Sequence, residues 1–169
     1  MKSSLLRVCA VLGVFSAGPA LAAAGAPQLL IESGAWRAYK VRQGKTALCY
    51  ALSEPVERLP RGLRRDPAFL FVSRSARDSH DEISFEFGYP LDVSARSSLS
   101  IGQAEFELME QNEQAWLLIE NQQPRAVIAL KRALVATVRT RSARGSETQD
   151  SYTLRGFSKA YDAVVAACD

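Results

Sequence analysis

The closing stretch of the chain, residues 150–169, constrains the fold more than any other part of the sequence. Residues 151–154 suit a short strand, and Gly156 then interrupts the pattern where it can serve as the N-cap of a helix. Four later residues have the spacing of one helical face, i, i+4, i+7 and i+11: Phe157, Tyr161, Val164 and Cys168. The pattern predicts a C-terminal helix whose inward face ends in a cysteine.

The first 22 residues have the three parts of a secretory signal peptide. Lys2 and Arg7 supply positive charge, residues 8–15 are apolar, and residues 20–22 offer the small-x-small pattern that a signal peptidase reads. We expect cleavage after residue 22 or one residue later. The alternative is an uncleaved anchor, which would need roughly 20 apolar residues, whereas Pro19 dilutes this run.

Removal of the leader changes what the composition implies. The whole chain has 21 Lys and Arg against 18 Asp and Glu, and the leader holds two of the basic residues and none of the acidic ones. The mature chain, residues 23–169, would therefore carry a formal net charge of +1. A nearly neutral protein is a poor general binder of nucleic acid. Its length fits one domain with its own core.

Two cysteines remain once Cys9 leaves with the leader, namely Cys49 and Cys168. An exported protein with two cysteines usually pairs them in an oxidising compartment. We therefore predict a disulfide that ties an early strand to the C-terminal helix. The alternative is two buried free thiols that never meet.

Most of the remaining chain alternates like short strands separated by turns. The predicted strands are residues 29–31, 35–41, 46–52, 69–73, 82–87, 99–101, 104–108, 115–119, 134–140 and 151–154. Residues 124–133 instead begin with a proline, and Val127, Leu130 and Leu134 recur at helical spacing. We predict a short helix over residues 124–133. The fold class is therefore mainly β, either a β-sandwich or a strongly curved antiparallel sheet, with a short internal helix and a C-terminal helix. An α+β fold is the alternative class.

The best candidate binding site is the arginine-rich segment of residues 55–67, which we predict to be an exposed loop. Its guanidinium groups could grip phosphate or carboxylate groups, and they belong to Arg58, Arg61, Arg64 and Arg65. Arg141 and Arg144 form a second, smaller candidate of the same kind. The alternative is a solvated loop whose arginines pair with Glu54, Glu57 and Asp66.

The sequence contains no recognisable catalytic set. His80 is the only histidine and lies in a polar turn, so a solvated loop residue is the simpler interpretation. No ligand cluster with metal-binding spacing surrounds it, and nothing calls for a cofactor. Glu82 and Glu86 alternate with apolar residues, as the solvated face of a strand does. An enzyme would need a site that only the fold assembles, using Asp66, His80 or Tyr89.

The order of several short motifs resembles the invasion-associated locus B protein family of Gram-negative, mainly alphaproteobacterial, cells. The motifs are the neighbourhood of Trp36, Cys49-Tyr50-Ala51, Arg65-Asp66-Pro67-Ala68-Phe69-Leu70-Phe71-Val72-Ser73, Gly88-Tyr89-Pro90-Leu91, Ser142-Ala143-Arg144-Gly145, and the run 150–157 leading to Cys168. The resemblance covers the mature chain and implies an exported, β-rich protein of one domain. It brings no catalytic residues.

These observations favour a non-enzymatic envelope protein over an enzyme. We expect it in the periplasm, where it binds or stabilises an envelope or host component; association with the outer membrane and secretion are the alternative locations. Its expected partners are an envelope protein, an anionic lipid or a polysaccharide, with no transmembrane helix after cleavage. The alternative is a periplasmic hydrolase or transferase.

Overall fold

The structure is a computed structural model that describes residues 25–77 and 79–169, without the side chain of Gln43. The predicted signal peptide, its cleavage site and Cys9 lie outside these residues.

Eleven strands form a single antiparallel sheet within the described residues. They are β1 (Gln28–Ser33), β2 (Trp36–Gln43), β3 (Thr46–Ser53), β4 (Glu57–Leu59), β5 (Phe69–Ser75), β6 (Asp81–Glu86), β7 (Ser97–Ile101), β8 (Ala104–Gln111), β9 (Gln114–Leu117), β10 (Val135–Arg141) and β11 (Glu147–Thr153). Their order across the sheet is β1-β2-β3-β5-β6-β9-β8-β7-β10-β11-β4. This arrangement confirms the predicted mainly β class.

The sheet curves over its own inner face. The ring of Phe85 on β6 lies 6.0 Å from the ring of Tyr152 on β11, although these strands are five places apart in the sheet order. Alternate residues of the strands point into the enclosed space and are buried, as Cys49 and Ala51 are on β3. The two halves of one sheet therefore share a single hydrophobic core.

Two helices cover the inner face. The first, α1 (Gln123–Arg132), follows a short 3₁₀ turn at Glu120–Gln122. The second, α2 (Phe157–Cys168), packs on β1, β2, β3 and β5. All four residues of its predicted inward face are buried: Phe157, Tyr161, Val164 and Cys168. The rings of Phe157 and Trp36 pack edge to face with 4.8 Å between their centroids, so the start of this helix is anchored in the core.

The predicted disulfide is present. Cys49 on β3 and Cys168 at the end of α2 are bonded across 119 residues of sequence, with 6.0 Å between their Cα atoms. Beside the bond, Lys40 donates a hydrogen bond of 2.6 Å to the carbonyl of Ala167. Both contacts fasten the end of the C-terminal helix to the sheet.

Several predicted boundaries were wrong. The segment 55–67 is not entirely a loop, because β4 pairs with β11. Strand β11 begins at Glu147, four residues before the predicted strand 151–154, because its inward residues Thr148 and Asp150 are polar and conceal the alternation. Leu134 does not join the buried face of α1, since the helix ends at Arg132 and Leu134 is 84% exposed.

Gly156 precedes α2 in a conformation that other residues rarely adopt, with φ +97°. A methyl group at this position would overlap the backbone oxygen of Ser33. We therefore expect Gly156→Ala to lower the free energy of unfolding by at least about 2 kcal/mol in a urea titration.

Gly44 provides the matched control for this substitution. It has φ +61°, and no atom lies within 4 Å of an added methyl group. Gly44→Ala should cost about 1 kcal/mol, which reflects the backbone conformation alone. Equal losses for the two variants would show that the contact with Ser33 is unimportant.

Candidate functional site

Three turns converge at one end of the sheet and enclose a cleft of about 430 Å³. They are residues 63–66, which follow β4; residues 88–90, which follow β6; and residues 142–146, between β10 and β11. The cleft brings together residues from both arginine candidates and from the enzymatic alternative: Arg64, Arg65, Arg144, Asp66 and Tyr89. The sequence separated these residues by up to 80 positions, and the fold makes them neighbours.

Backbone contacts hold the three turns against one another. Asp66 N–H donates to the carbonyl of Gly88 at 3.2 Å, and Ala143 N–H donates to the carbonyl of Pro90 at 2.9 Å. Gly88 has φ +69°, and a side chain there would meet the carbonyl oxygen of Asp66 at 2.5 Å. The walls of the cleft are therefore formed by the fold before any ligand arrives.

Tyr89 and Thr148 line the cleft, and their hydroxyls form a group with the hydroxyl of Thr140. Tyr89 Oη is 2.7 Å from Thr148 Oγ1 and 3.0 Å from Thr140 Oγ1, and the two threonine oxygens are 2.7 Å apart. Thr140 and Thr148 are register partners on β10 and β11, which explains their proximity. Thr148 Oγ1 also lies 3.2 Å from the carbonyl of Thr140. Four contacts thus compete for three hydroxyl hydrogens.

A buried ionic cluster supports the cleft from below. Arg58 Nε lies 3.0 Å from Asp150 Oδ2, and Arg65 Nη1 lies 3.3 Å from Asp150 Oδ1. Arg58 also donates 2.7 Å hydrogen bonds to the carbonyls of Asp66 and Phe87. These contacts join β11 to the first two turns, so Arg58 and Arg65 hold the cleft together.

Burial and charge act on Asp150 in opposite directions. Its side chain is 1% exposed, and this loss of solvent raises the pKa of its carboxyl group above the ordinary value. The guanidinium groups of Arg58 and Arg65 oppose that rise by stabilising the charged form. Burial and the nearby charge of Asp150 also raise the pKa of Tyr152 well above its usual range.

The six predicted arginines fall into separate groups. The side chains of Arg58 and Arg65 are only 20% and 7% exposed and contact Asp150, an acid that the sequence did not suggest as their partner. Arg61 bonds to Glu57 at 2.9 Å, as the alternative expected. Arg141 lies 3.6 Å from Glu147 and 4.0 Å from Asp92.

Arg64 and Arg144 are the two arginines that stay open to the cleft. Both are exposed, and neither has a hydrogen bond or ion pair with any residue in 25–77 or 79–169. They belong to different turns, so they approach the cleft from different walls. Glu113 and Asp66 also line it and add negative charge. The site thus presents both acceptor and donor groups to a ligand.

The three residues of the enzymatic alternative do not meet. Asp66 and Tyr89 line the cleft, but His80 lies in another depression with Glu82 and Trp116, where its Nε2 is 3.5 Å from Glu120 Oε1. Among the described residues, no group of three or more His, Cys, Asp and Glu is placed to hold a metal ion.

Sequence reasoning missed Glu113, Thr140, Thr148 and Asp150. Thr148 and Asp150 alternate with Tyr152 at i, i+2 and i+4 in β11, and this pattern was the available signal.

Among residues 25–77 and 79–169, no helix has the length and apolar character to cross a bilayer.

Comparisons with known proteins identify a similar fold. No family model matches the chain, and no curated protein matches it in sequence. The crystal structure of invasion associated protein B from Bartonella henselae is similar, with a TM-score of 0.63. The match covers 85% of this chain and 97% of that chain at 15% sequence identity. The likeness concerns the fold, and it agrees with the resemblance that the sequence motifs suggested.

Proposed function

We propose that this chain is an exported, non-enzymatic envelope protein of the invasion-associated locus B type, which binds an anionic component through the cleft. The observation that carries the proposal is the pair Arg64 and Arg144, two exposed guanidinium groups without partners among the described residues. Guanidinium groups bind carboxylate and phosphate through charge-assisted hydrogen bonds. The bound component belongs to the envelope or to a host surface.

Export is supported by two independent features. The disulfide between Cys49 and Cys168 is a bond that forms and persists in oxidising compartments. The leader predicted over residues 1–22 would deliver the remaining chain, residues 23–169, to such a compartment as one domain. We place the protein in the periplasm, where it meets anionic lipids and polysaccharides.

Cell fractionation tests the location. The full chain should accumulate in the periplasmic fraction, with residues 1–22 removed and no free thiol in the unreduced protein. A chain that starts at residue 23 should remain in the cytoplasm. Recovery of the full chain in the cytoplasm with residues 1–22 still attached would contradict the proposal.

Binding to isolated envelope fragments tests the cleft. We expect Arg64→Ala/Arg144→Ala to weaken sedimentation with these fragments by about tenfold or more, because each lost charge-assisted hydrogen bond is worth about 1.5–3 kcal/mol. Binding of the unaltered protein should also weaken as salt rises from about 50 to 300 mM, since exposed charges are screened.

Arg42→Ala/Arg96→Ala is the matched control. Both residues are exposed and lie outside the cleft, and replacing them removes the same total charge as Arg64→Ala/Arg144→Ala. This variant should bind within about twofold of the unaltered protein, because only net charge is lost. Equal weakening in the two variants would assign the binding to net charge and would contradict a role for the cleft.

A further inference from the structure

We infer that the ligand of the cleft is an acidic sugar whose carboxylate lies between Arg64 and Arg144. This inference rests on the proposed function and names the chemistry of the bound component. It follows from the charge balance, the hydrogen-bond capacity and the backbone pairing of the three turns.

The charged groups of the cleft and of the buried ionic cluster can together balance one negative charge on a ligand. Four guanidinium groups, those of Arg58, Arg64, Arg65 and Arg144, face three carboxylates, those of Asp66, Glu113 and Asp150. One positive charge is left over. A carboxylate neutralises it, as the singly charged phosphodiester of a lipid also would, whereas a doubly charged phosphate would leave a negative charge beside Asp66 and Glu113. A planar carboxylate also suits the paired N–H groups of a guanidinium.

The remaining polar groups of the cleft suit a ligand with several hydroxyls. The carboxylates of Asp66 and Glu113 accept hydrogen bonds, so they favour a ligand that brings donors. If Thr148 donates to the carbonyl of Thr140, Thr148 Oγ1 accepts the hydrogen of Tyr89 at 2.7 Å. Tyr89 Oη can then accept a hydrogen bond from a hydroxyl of the ligand. Sugar hydroxyls both donate and accept, which fits this set.

The backbone of the turns favours a sugar over a peptide. Peptide ligands commonly add to a strand edge through main-chain hydrogen bonds. Here the turns already pair with each other, Asp66 with Gly88 and Ala143 with Pro90, and Ser146 N–H donates to Ser142 Oγ at 3.1 Å. Recognition therefore depends on side chains. The volume of about 430 Å³ lies in the range of small-ligand sites.

Calorimetric titration of residues 23–169 with a galacturonate oligomer tests the inference. Its methyl ester, which keeps the hydroxyls and loses the charge, should bind at least about tenfold more weakly. Arg64→Ala/Arg144→Ala should lose at least about tenfold, and Tyr89→Phe about threefold. Arg42→Ala/Arg96→Ala should bind like the unaltered protein. Unchanged urea midpoints will exclude misfolding of the variants.

Three further probes separate the possible failures: inorganic phosphate, vesicles of phosphatidylglycerol and the dipeptide Gly-Gly. Binding of any of these through Arg64 and Arg144, with no binding of galacturonate, would overturn the acidic-sugar inference and leave the proposed anion-binding function in place. Equal affinity for the oligomer and its methyl ester would also overturn it. No binding of any anion would overturn both proposals.

Discussion

Arg58→Met is expected to lower the free energy of unfolding by about 3–5 kcal/mol at pH 7. The substitution removes one partner of the buried carboxylate Asp150 and leaves the carbonyls of Asp66 and Phe87 without the 2.7 Å hydrogen bonds that Arg58 donates. The loss is costly because the buried carboxylate of Asp150 keeps only Arg65, at 3.3 Å, and has no water to replace Arg58. Urea titration followed by tryptophan fluorescence measures the loss.

The loss should depend on pH in a defined direction. Burial already raises the pKa of Asp150 in the folded protein, and removal of an arginine that opposes this rise will raise it further. A raised folded pKa favours the fold at low pH, and that contribution is lost as pH rises through the folded value. The loss of unfolding free energy caused by Arg58→Met should therefore be smaller at pH 5 than at pH 7.

Arg61→Met is the matched control, in the same segment and with the same change of side chain. The Arg61 side chain is 82% exposed and pairs with Glu57 on the surface. Such pairs contribute about 0–1 kcal/mol, so this variant should unfold close to the unaltered protein at both pH values. A deficit of less than about 1 kcal/mol for Arg58→Met would contradict the structural role of the buried cluster.

Removal of the disulfide is the second change with a large expected effect. Cys49→Ala/Cys168→Ala should lower the free energy of unfolding by about 4–5 kcal/mol, because the bond closes a loop of 119 residues and restricts the unfolded chain. Both half-cystines are buried, at 0% and 2% exposure, so the two alanines also leave a small cavity. The midpoint of urea unfolding measures the combined loss.

Reduction of the unaltered protein gives an independent check. Dithiothreitol should shift its urea midpoint toward that of Cys49→Ala/Cys168→Ala and leave that variant unchanged. A reductant has no covalent target in the variant when residues 1–22 are absent, since Cys9 is then missing as well. Identical midpoints for the oxidised protein and the double variant would show that the bond does not stabilise the fold.

Polar residues on the inner face explain where strand prediction failed. Strand β11 faces inward with Thr148, Asp150 and Tyr152, so much of its alternation is polar and only residues 151–154 were predicted as a strand. Strand β4 is three residues long, and its pairing with β11 places it in the sheet. By contrast, the sequence predicted strand β6 and the amphipathic helix α2. Their buried faces consist of apolar residues that recur at short, regular spacing.

The sequence alone determined the mainly β class, the C-terminal helix, the pairing of Cys49 with Cys168 and the resemblance to a known fold. Each depends on residue types at fixed spacing or on the number of cysteines, which the chain carries without folding. Only the tertiary structure decided which arginines are available to a ligand. Asp150 lies 92 residues from Arg58 and 85 from Arg65 in the sequence. In the folded protein it pairs with both arginines, whose side chains are largely buried. Arg64, next to Arg65, stays open because the curved sheet brings the carboxylate to one neighbour and leaves the other facing solvent.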